Sequence, residues 1–304
     1  MPVYRSELSL DELVGRLVTT LRALETPFEI LLVNDGSPDG SWDKIKELAA
    51  DVAEVTGLCL NRNYGQHNAL LAGIRRARHD IVVTLDDDLQ HRPEQIPTLL
   101  EQFTDDVDLV YGYPEIENHS IARNVLSRAT KIALGASIGS DVAKHVSAFR
   151  AFRTKLRDGF ADVQDPFLSL DVLLSWTTTH AIAVPVPMDD RRFGESNYNS
   201  AKLIRVALNL ITGFSTLPLR IVTYVGFGFA LFGVLILGYV IVTYVLQGGR
   251  SAPGFPFLAS LISILSGAQL FALGVIGEYI GRMHYRSMSR PPYVVRASTA
   301  DERP

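Results

Sequence analysis

Ile81-Val-Val-Thr-Leu85 runs directly into Asp86-Asp-Asp-Leu-Gln90, and the reading of this junction decides the fold. The apolar, β-branched half reads as a buried strand. The carboxylates that end it repel one another, which is costly unless a cation or a set of donors sits among them. A divalent ion holding a diphosphate is the commonest reason for such a cluster. Side chains two apart on extended backbone share a face, so Asp86, Asp88 and Gln90 are expected to converge on one point. Alone, an acidic triplet is as readily a solvated turn, and the reading depends on its neighbours.

Those neighbours repeat the same unit. Phe28–Asn34, Leu58–Asn61, Asp80–Leu85, Leu109–Tyr113 and Ala181–Val186 read as strands. Helical patterns over Leu10–Leu24, Ser41–Ala53, Gln66–Ala77 and Pro93–Phe103 alternate with them. That alternation predicts an α/β fold around a Rossmann-like, mostly parallel sheet, with its chemistry beyond the C-terminal strand ends. Three clusters fall at such ends: Asn34 to Ser41, whose turn residues also suit a helix cap, Asn61 to Gly65, and the acidic triplet.

Charge divides the 304 residues unevenly. Residues 1–199 hold 20 Lys+Arg against 30 Asp+Glu, whereas residues 200–304 hold 9 against 3. The basic part contains two uncharged runs, 26 residues from Ile221 to Leu246 and 23 from Phe255 to Gly277. Each is long enough to cross roughly 30 Å of hydrocarbon as a helix. Lys202, Arg205 and Arg220 precede the first run and Arg282, Arg286 and Arg290 follow the second, while the connection Gln247–Gly254 carries only Arg250. The positive-inside rule therefore places both flanks, and with them both termini and the acidic half, on the cytoplasmic side. Ala201–Leu217 mixes Leu203, Ile204, Leu208 and Ile211 with Lys202 and Arg205, a pattern for a helix lying along the headgroups or for an ordinary packing helix. Residues 1–27 contain no apolar stretch of the signal-peptide kind. Cys59 is the sole cysteine, which excludes internal disulfides and suits a small core residue. No nucleic-acid partner is expected.

Val33-Asn-Asp-Gly-Ser37, Leu60-Asn-Arg-Asn-Tyr-Gly-Gln-His67, Asp86-Asp-Asp-Leu-Gln90 and Arg192-Phe-Gly-Glu-Ser-Asn-Tyr198, followed by two apolar spans, closely resemble the polyprenyl-phosphate glycosyltransferases of glycosyltransferase family 2. Gly277-Glu-Tyr-Ile-Gly-Arg282 and Arg290-Pro-Pro-Tyr293 look like the bacterial members. The resemblance implies a GT-A catalytic domain over 1–199, interfacial helices over 200–220, transmembrane helices at about 221–246 and 255–280, and a cytoplasmic tail over 281–304, all in the inner membrane. It implies inverting transfer of one sugar from a nucleotide sugar, UDP-linked by analogy, to undecaprenyl phosphate.

By the same resemblance Asp35 contacts the nucleobase, Pro2, Tyr4 and Arg62 line the nucleotide pocket, and Asp86 lies on the nucleotide side. Asp88 and Gln90 hold a Mg²⁺ or Mn²⁺ ion that bridges the diphosphate. Asp87 is a bystander whose charge calls for solvent or a basic neighbour. Arg191, Arg192 and Ser196 belong to a loop that closes over donor phosphates, with Gly194 as its bend, and Arg192 joins Asp86 and Asp88 as the catalytic set. Arg123 and Ser127, one helical turn apart, hold the lipid phosphate. Tyr111-Gly-Tyr-Pro114 stands where relatives place a second acceptor arginine, leaving Arg128 or Lys131 to substitute.

The acceptor's chemistry adds a point of its own. A phosphate monoester has its second pKa near 6, so the nucleophile is already anionic at neutral pH and needs no strong general base. Asp165 and Asp171 are accordingly expected not to act as one. At the start of the chain, Met1-Pro-Val-Tyr-Arg-Ser6 begins where the family's first strand ends, with Arg5-Ser6 replacing Asn-Glu. The expectation is a start upstream of Met1, and flanking strands left with unpaired backbone groups. Two other functions are weighed: a catalytically silent membrane scaffold of the same fold, and a processive polysaccharide synthase. The second lacks its Gln-x-x-Arg-Trp segment, since Gln164–Trp176 has no Arg. The two spans are also able to associate with copies of themselves.

Overall fold

The computed structural model describes residues 1–114, 142–165, 168–189, 217–246, 255–288 and 290–301. They form two units, one of residues 1–210 and 289–304, the other of residues 211–288.

In the first unit, β1 (Pro2–Val3), β2 (Ile30–Asn34) and β3 (Val55–Leu60) run parallel, and β8 (Val295–Ser298) joins β3 antiparallel. A second sheet has the order β4 (Ile81–Thr84), β6 (Arg150–Arg153), β5 (Leu109–Pro114), β7 (Ala181–Val186). The parallel expectation holds for β1–β2–β3 and for β5–β7, while β6 enters antiparallel between β4 and β5. The two residues of β1 pair with Val33 and Asn34 of β2, and among the described residues no strand pairs with the other edge of β4.

Strand periodicity sorts side chains onto two faces. Leu32 and Val110 enter the core that α1 (Leu10–Arg22), α2 (Ser41–Asp51) and α4 (Ile96–Leu100) cover, and Leu109 and Tyr111 enter a second core with α3 (Gln66–Arg76) and α5 (Leu170–Thr177). A third cluster joins Val33, Leu58 and Leu60 to Ala69 and Ala72 of α3. In α1 the buried positions Leu10, Leu13, Val14 and Leu17 form one helical stripe. Burying each such leucine is worth roughly 1.5–3 kcal/mol.

The polar C-terminal segment is part of this unit. Val294 O accepts the Asn61 N–H at 2.9 Å, Thr299 N–H donates to Gly57 O at 3.0 Å, and Gly57 N–H donates to the Thr299 hydroxyl at 2.9 Å. The edge of β3 is thereby covered from Gly57 to Leu60.

The second unit consists of α6 (Leu217–Leu246) and α7 (Phe255–Ser287), which meet each other. Both contain segments long and apolar enough to cross a membrane, Pro218–Leu246 and Ile264–His284. Their large side chains, including Tyr224, Phe227, Leu235, Phe271 and Leu273, are exposed.

Candidate active site at the strand ends

The loops that follow β1, β2, β3 and β4 are linked side chain to backbone, so the three clusters expected at one edge are brought together. Asp35, at the end of β2 and 3% exposed, accepts the Tyr64 N–H at 2.7 Å and the Gly65 N–H at 2.8 Å. Burial pushes its carboxyl above the ordinary range, against the pull of those two donors. Asp35 therefore organises the turn into α3; each oxygen keeps a further lone pair for a ligand. Gly36 has φ +63°, and a β-carbon there falls 2.5 Å from the Arg62 carbonyl carbon and 2.6 Å from the Asn63 nitrogen. Only glycine allows the two loops to approach so closely.

Arg62 is exposed and stacks over the Tyr64 ring at 4.6 Å. Pro2 is buried, and Tyr4 is 37% exposed beneath the Arg5 guanidinium at 5.4 Å.

The acidic triplet is not extended backbone. The strand ends at Thr84, and the chain bends through Asp87, Asp88 and Leu89, with φ +61° at Leu89. A leucine in this region is strained, and its complete burial in the core offsets the cost. The convergence expected from a two-residue period is thus corrected: a turn, anchored by Leu89, sets the directions of Asp86, Asp88 and Gln90. Asp86 accepts from the Gln66 amide, and Asp88 accepts the Gln90 N–H at 3.2 Å.

Asp87, expected to meet solvent or a basic neighbour, is instead tied to the start of the chain. Its Oδ2 accepts the Tyr4 N–H at 3.0 Å and the Ser6 hydroxyl, and its carbonyl accepts the Ser9 hydroxyl at 2.8 Å. The Tyr4 N–H and the Ser6 hydroxyl, both neutral, meet the extra charge. Burial raises its carboxyl to about 6, opposed by Ser6 and Tyr4.

Behind the turn, His91 is buried, stacks on Phe149 at 5.5 Å and accepts the Asp86 N–H at its Nδ1. Burial lowers it to about 4, so the ring is neutral. His91 also bridges to Met188, Asp189 N–H donates to Gln90 O at 2.9 Å, and the Arg92 Nε donates to Asp189 at 2.8 Å. The stem of the Arg191–Arg192 segment is therefore fastened to the acidic turn.

Arg123, Ser127, Arg128 and Lys131, and likewise Arg191, Arg192 and Ser196, lie outside the described residues. Sequence reasoning missed Gln66, His91 and Arg150, and with them the tie of Asp87 to Tyr4 and Ser6 and the pairing of Asp171 with Arg150. Gln66 and His67 stood inside a quoted motif, a signal that was there to use. Arg150 gave no signal, because a charged residue in a short strand reads as surface.

Oxygen donors from Asp86, Asp88 and Gln90 suit a hard cation such as Mg²⁺ or Mn²⁺. Among the described residues no three His, Cys, Asp or Glu side chains form a preformed cage.

Known proteins similar to this chain fall in one family. The glycosyl transferase family 2 profile matches residues 1–160, and the GtrB C-terminal hairpin profile matches residues 217–283. Undecaprenyl-phosphate 4-deoxy-4-formamido-L-arabinose transferase of Pseudomonas paraeruginosa is 35% identical, over 98% of this chain and 90% of that protein. The protein of the same description from Pectobacterium carotovorum subsp. carotovorum is 33% identical over 100% and 94%. Among solved structures, glucosyl-3-phosphoglycerate synthase from Mycobacterium tuberculosis superposes with a TM-score of 0.53 at 17% identity, over 69% of this chain and 75% of that one. The same enzyme in complex with Mn²⁺, UDP-glucose and glycerol 3-phosphate gives 0.51 at 15% identity, over 69% and 76%. These neighbours share the fold.

Proposed function

Since the chain belongs to glycosyl transferase family 2 and is a glycosyltransferase, we propose that it moves a single sugar from a UDP-linked donor to undecaprenyl phosphate, with inversion, at the cytoplasmic face of the inner membrane. The carrying observation is the linkage of Asp35, Asp86 and Asp87 with the Tyr4 and Tyr64 loops into one site at the strand ends. Full-length similarity to undecaprenyl-phosphate transferases supports the acceptor, and the Mn²⁺ and UDP-glucose bound by a fold neighbour support the donor and the ion.

In this reading Tyr4, Pro2, Arg62 and Asp35 receive the nucleoside, and Asp86, Asp88 and Gln90 face the diphosphate. Mg²⁺ or Mn²⁺ bound there would neutralise charge on the departing nucleoside diphosphate. Arg191, Arg192 and Ser196 are assigned to the donor phosphates, and Arg123, Ser127 and Arg128 to the lipid phosphate. The helices α6 and α7 are assigned to the bilayer, which accounts for their exposed apolar surface. That assignment keeps the acceptor phosphate and the catalytic unit on one membrane face.

Asp171 is not assigned as a base. Its Oδ1 accepts from the Arg150 guanidinium and from the Tyr111 hydroxyl, contacts that engage the carboxylate in the packing of the first unit.

The test is a panel of nucleotide sugars offered with undecaprenyl phosphate and Mn²⁺ to the purified full chain. One UDP-sugar is expected to yield an organic-extractable glycolipid. Donor consumption by no member of the panel would favour the silent scaffold, and a growing polymer would favour the processive synthase.

A further inference from the structure

We propose that Asp87 is a positioning residue: its carboxylate braces the Tyr4–Ser6 segment against the acidic turn and so sets donor affinity without ligating the metal. The inference rests on the reading above, in which Tyr4 and the turn receive the donor nucleotide.

β1 offers two residues, both paired with β2, and among the described residues no strand pairing joins β1 to β4. At the site end of this seam the connection is made by residues 4, 6 and 9, which donate to the single residue Asp87. Tyr4 N–H and the Ser6 hydroxyl share Oδ2, and Ser9 takes the main-chain carbonyl. Between the first two donors lies Arg5 with φ +59°, a conformation that a non-glycine residue holds only when its surroundings determine it. Asp87 contributes to that determination on both sides, together with the Ser37 hydroxyl, which accepts the Arg5 N–H at 3.2 Å, and the Ser41 hydroxyl, which accepts the Ser6 N–H at 3.0 Å.

The chemistry also explains a carboxylate here. Two donors and no acceptor converge on one oxygen, which an anion satisfies better than a neutral group. An asparagine can present its amide oxygen at the same point and keep both bonds in weaker form. An alanine keeps neither, and Tyr4 then loses its fixed place relative to Asp86 and Asp88.

The experiment compares wild type, Asp87→Ala and Asp87→Asn as full chains. It measures donor KM and kcat with UDP-sugar, the Mn²⁺ concentration for half-maximal rate, and amide exchange across Tyr4–Ser6. Asp87→Ala is expected to raise donor KM roughly tenfold, with a smaller change in kcat, an unaltered Mn²⁺ requirement and at least roughly tenfold faster exchange. Asp87→Asn is expected to recover most of both KM and protection. Should Asp87→Ala not fold, Ser6→Ala removes one of the two side-chain donors and is expected to shift KM and exchange in the same direction by less. Unchanged exchange in these variants, or a KM equal to wild type, overturns the proposal. A wild-type chain that takes no nucleotide sugar overturns the donor reading instead, and the exchange data still decide whether Asp87 holds the segment.

Discussion

Arg150 of β6 and Asp171 of α5 form an ion pair inside the first unit, their side chains 1% and 15% exposed. Arg150 Nε also donates to the Thr84 hydroxyl at 3.0 Å, and the Tyr111 hydroxyl donates to Asp171 at 3.2 Å. Burial opposes the charge on Arg150, but Asp171 outweighs it and holds the guanidinium protonated. Removing one partner leaves the other charge buried and alone, which costs roughly 3–5 kcal/mol. Arg150→Met and Asp171→Asn are each expected to lose about that much in denaturant unfolding, and the double variant less than their sum. Additive losses would contradict the pairing.

The same pair separates folding from chemistry. Per folded molecule, at a temperature where the variant is native, Asp171→Asn is expected to keep kcat within about tenfold of wild type and to show no new acid limb in its pH profile. A loss of about a thousandfold at unchanged folding would make Asp171 the base.

His67, at the start of α3, accepts the Leu170 N–H at its Nδ1. Burial lowers its pKa from 6.5, Asp171 opposing and Arg150 reinforcing the shift. With the folded value depressed, its contribution is fully present above pH 6.5, where neither state is protonated, and is lost as pH falls, because the unfolded chain takes the proton first. His67→Gln is expected to flatten the decline of unfolding free energy below that pH. An unchanged slope would show that His67 binds its proton equally in the folded and unfolded chains, so that burial does not depress it.

β8 leads to a prediction about the tail. A chain ending at Tyr293 loses the bonds to Asn61 and Gly57 and uncovers the β3 edge, an aggregation-prone surface. It is expected to lose thermal stability and nucleotide-sugar turnover together, because β3 ends in the Asn61–Gly65 loop that Asp35 holds. In the full chain, Thr299→Val removes one hydrogen bond and is expected to cost about 1 kcal/mol. A truncated chain with wild-type melting temperature would contradict this.

Local patterns carried most of the fold. The stripe Leu10, Leu13, Val14, Leu17 marks α1, and Ala181–Val186 has the bounds expected of it. β6 escaped because Arg150-Ala-Phe-Arg153 is short and its buried arginine finds Asp171 only in three dimensions. β8 escaped because Val295-Arg-Ala-Ser298, placed after an apolar span, reads as a polar tail, and its partner strand lies far back in the chain. The three loop clusters were legible because each follows its own strand. The shape of the acidic turn was not, since it depends on Leu89 entering the core, nor was the tie from Ser6 to Asp87, which joins residues with no local relation.

The most direct test of a metal-dependent transfer to a lipid phosphate measures glycolipid formation from labelled UDP-sugar and undecaprenyl phosphate before chelation, after chelation and after Mn²⁺ is restored, in wild type and Asp88→Ala. Product is expected to disappear with chelator, to return with Mn²⁺ and to fall by roughly a hundredfold or more in Asp88→Ala, about 2.7 kcal/mol of lost transition-state stabilisation. Undiminished glycolipid in chelator, or normal turnover by Asp88→Ala, would contradict it.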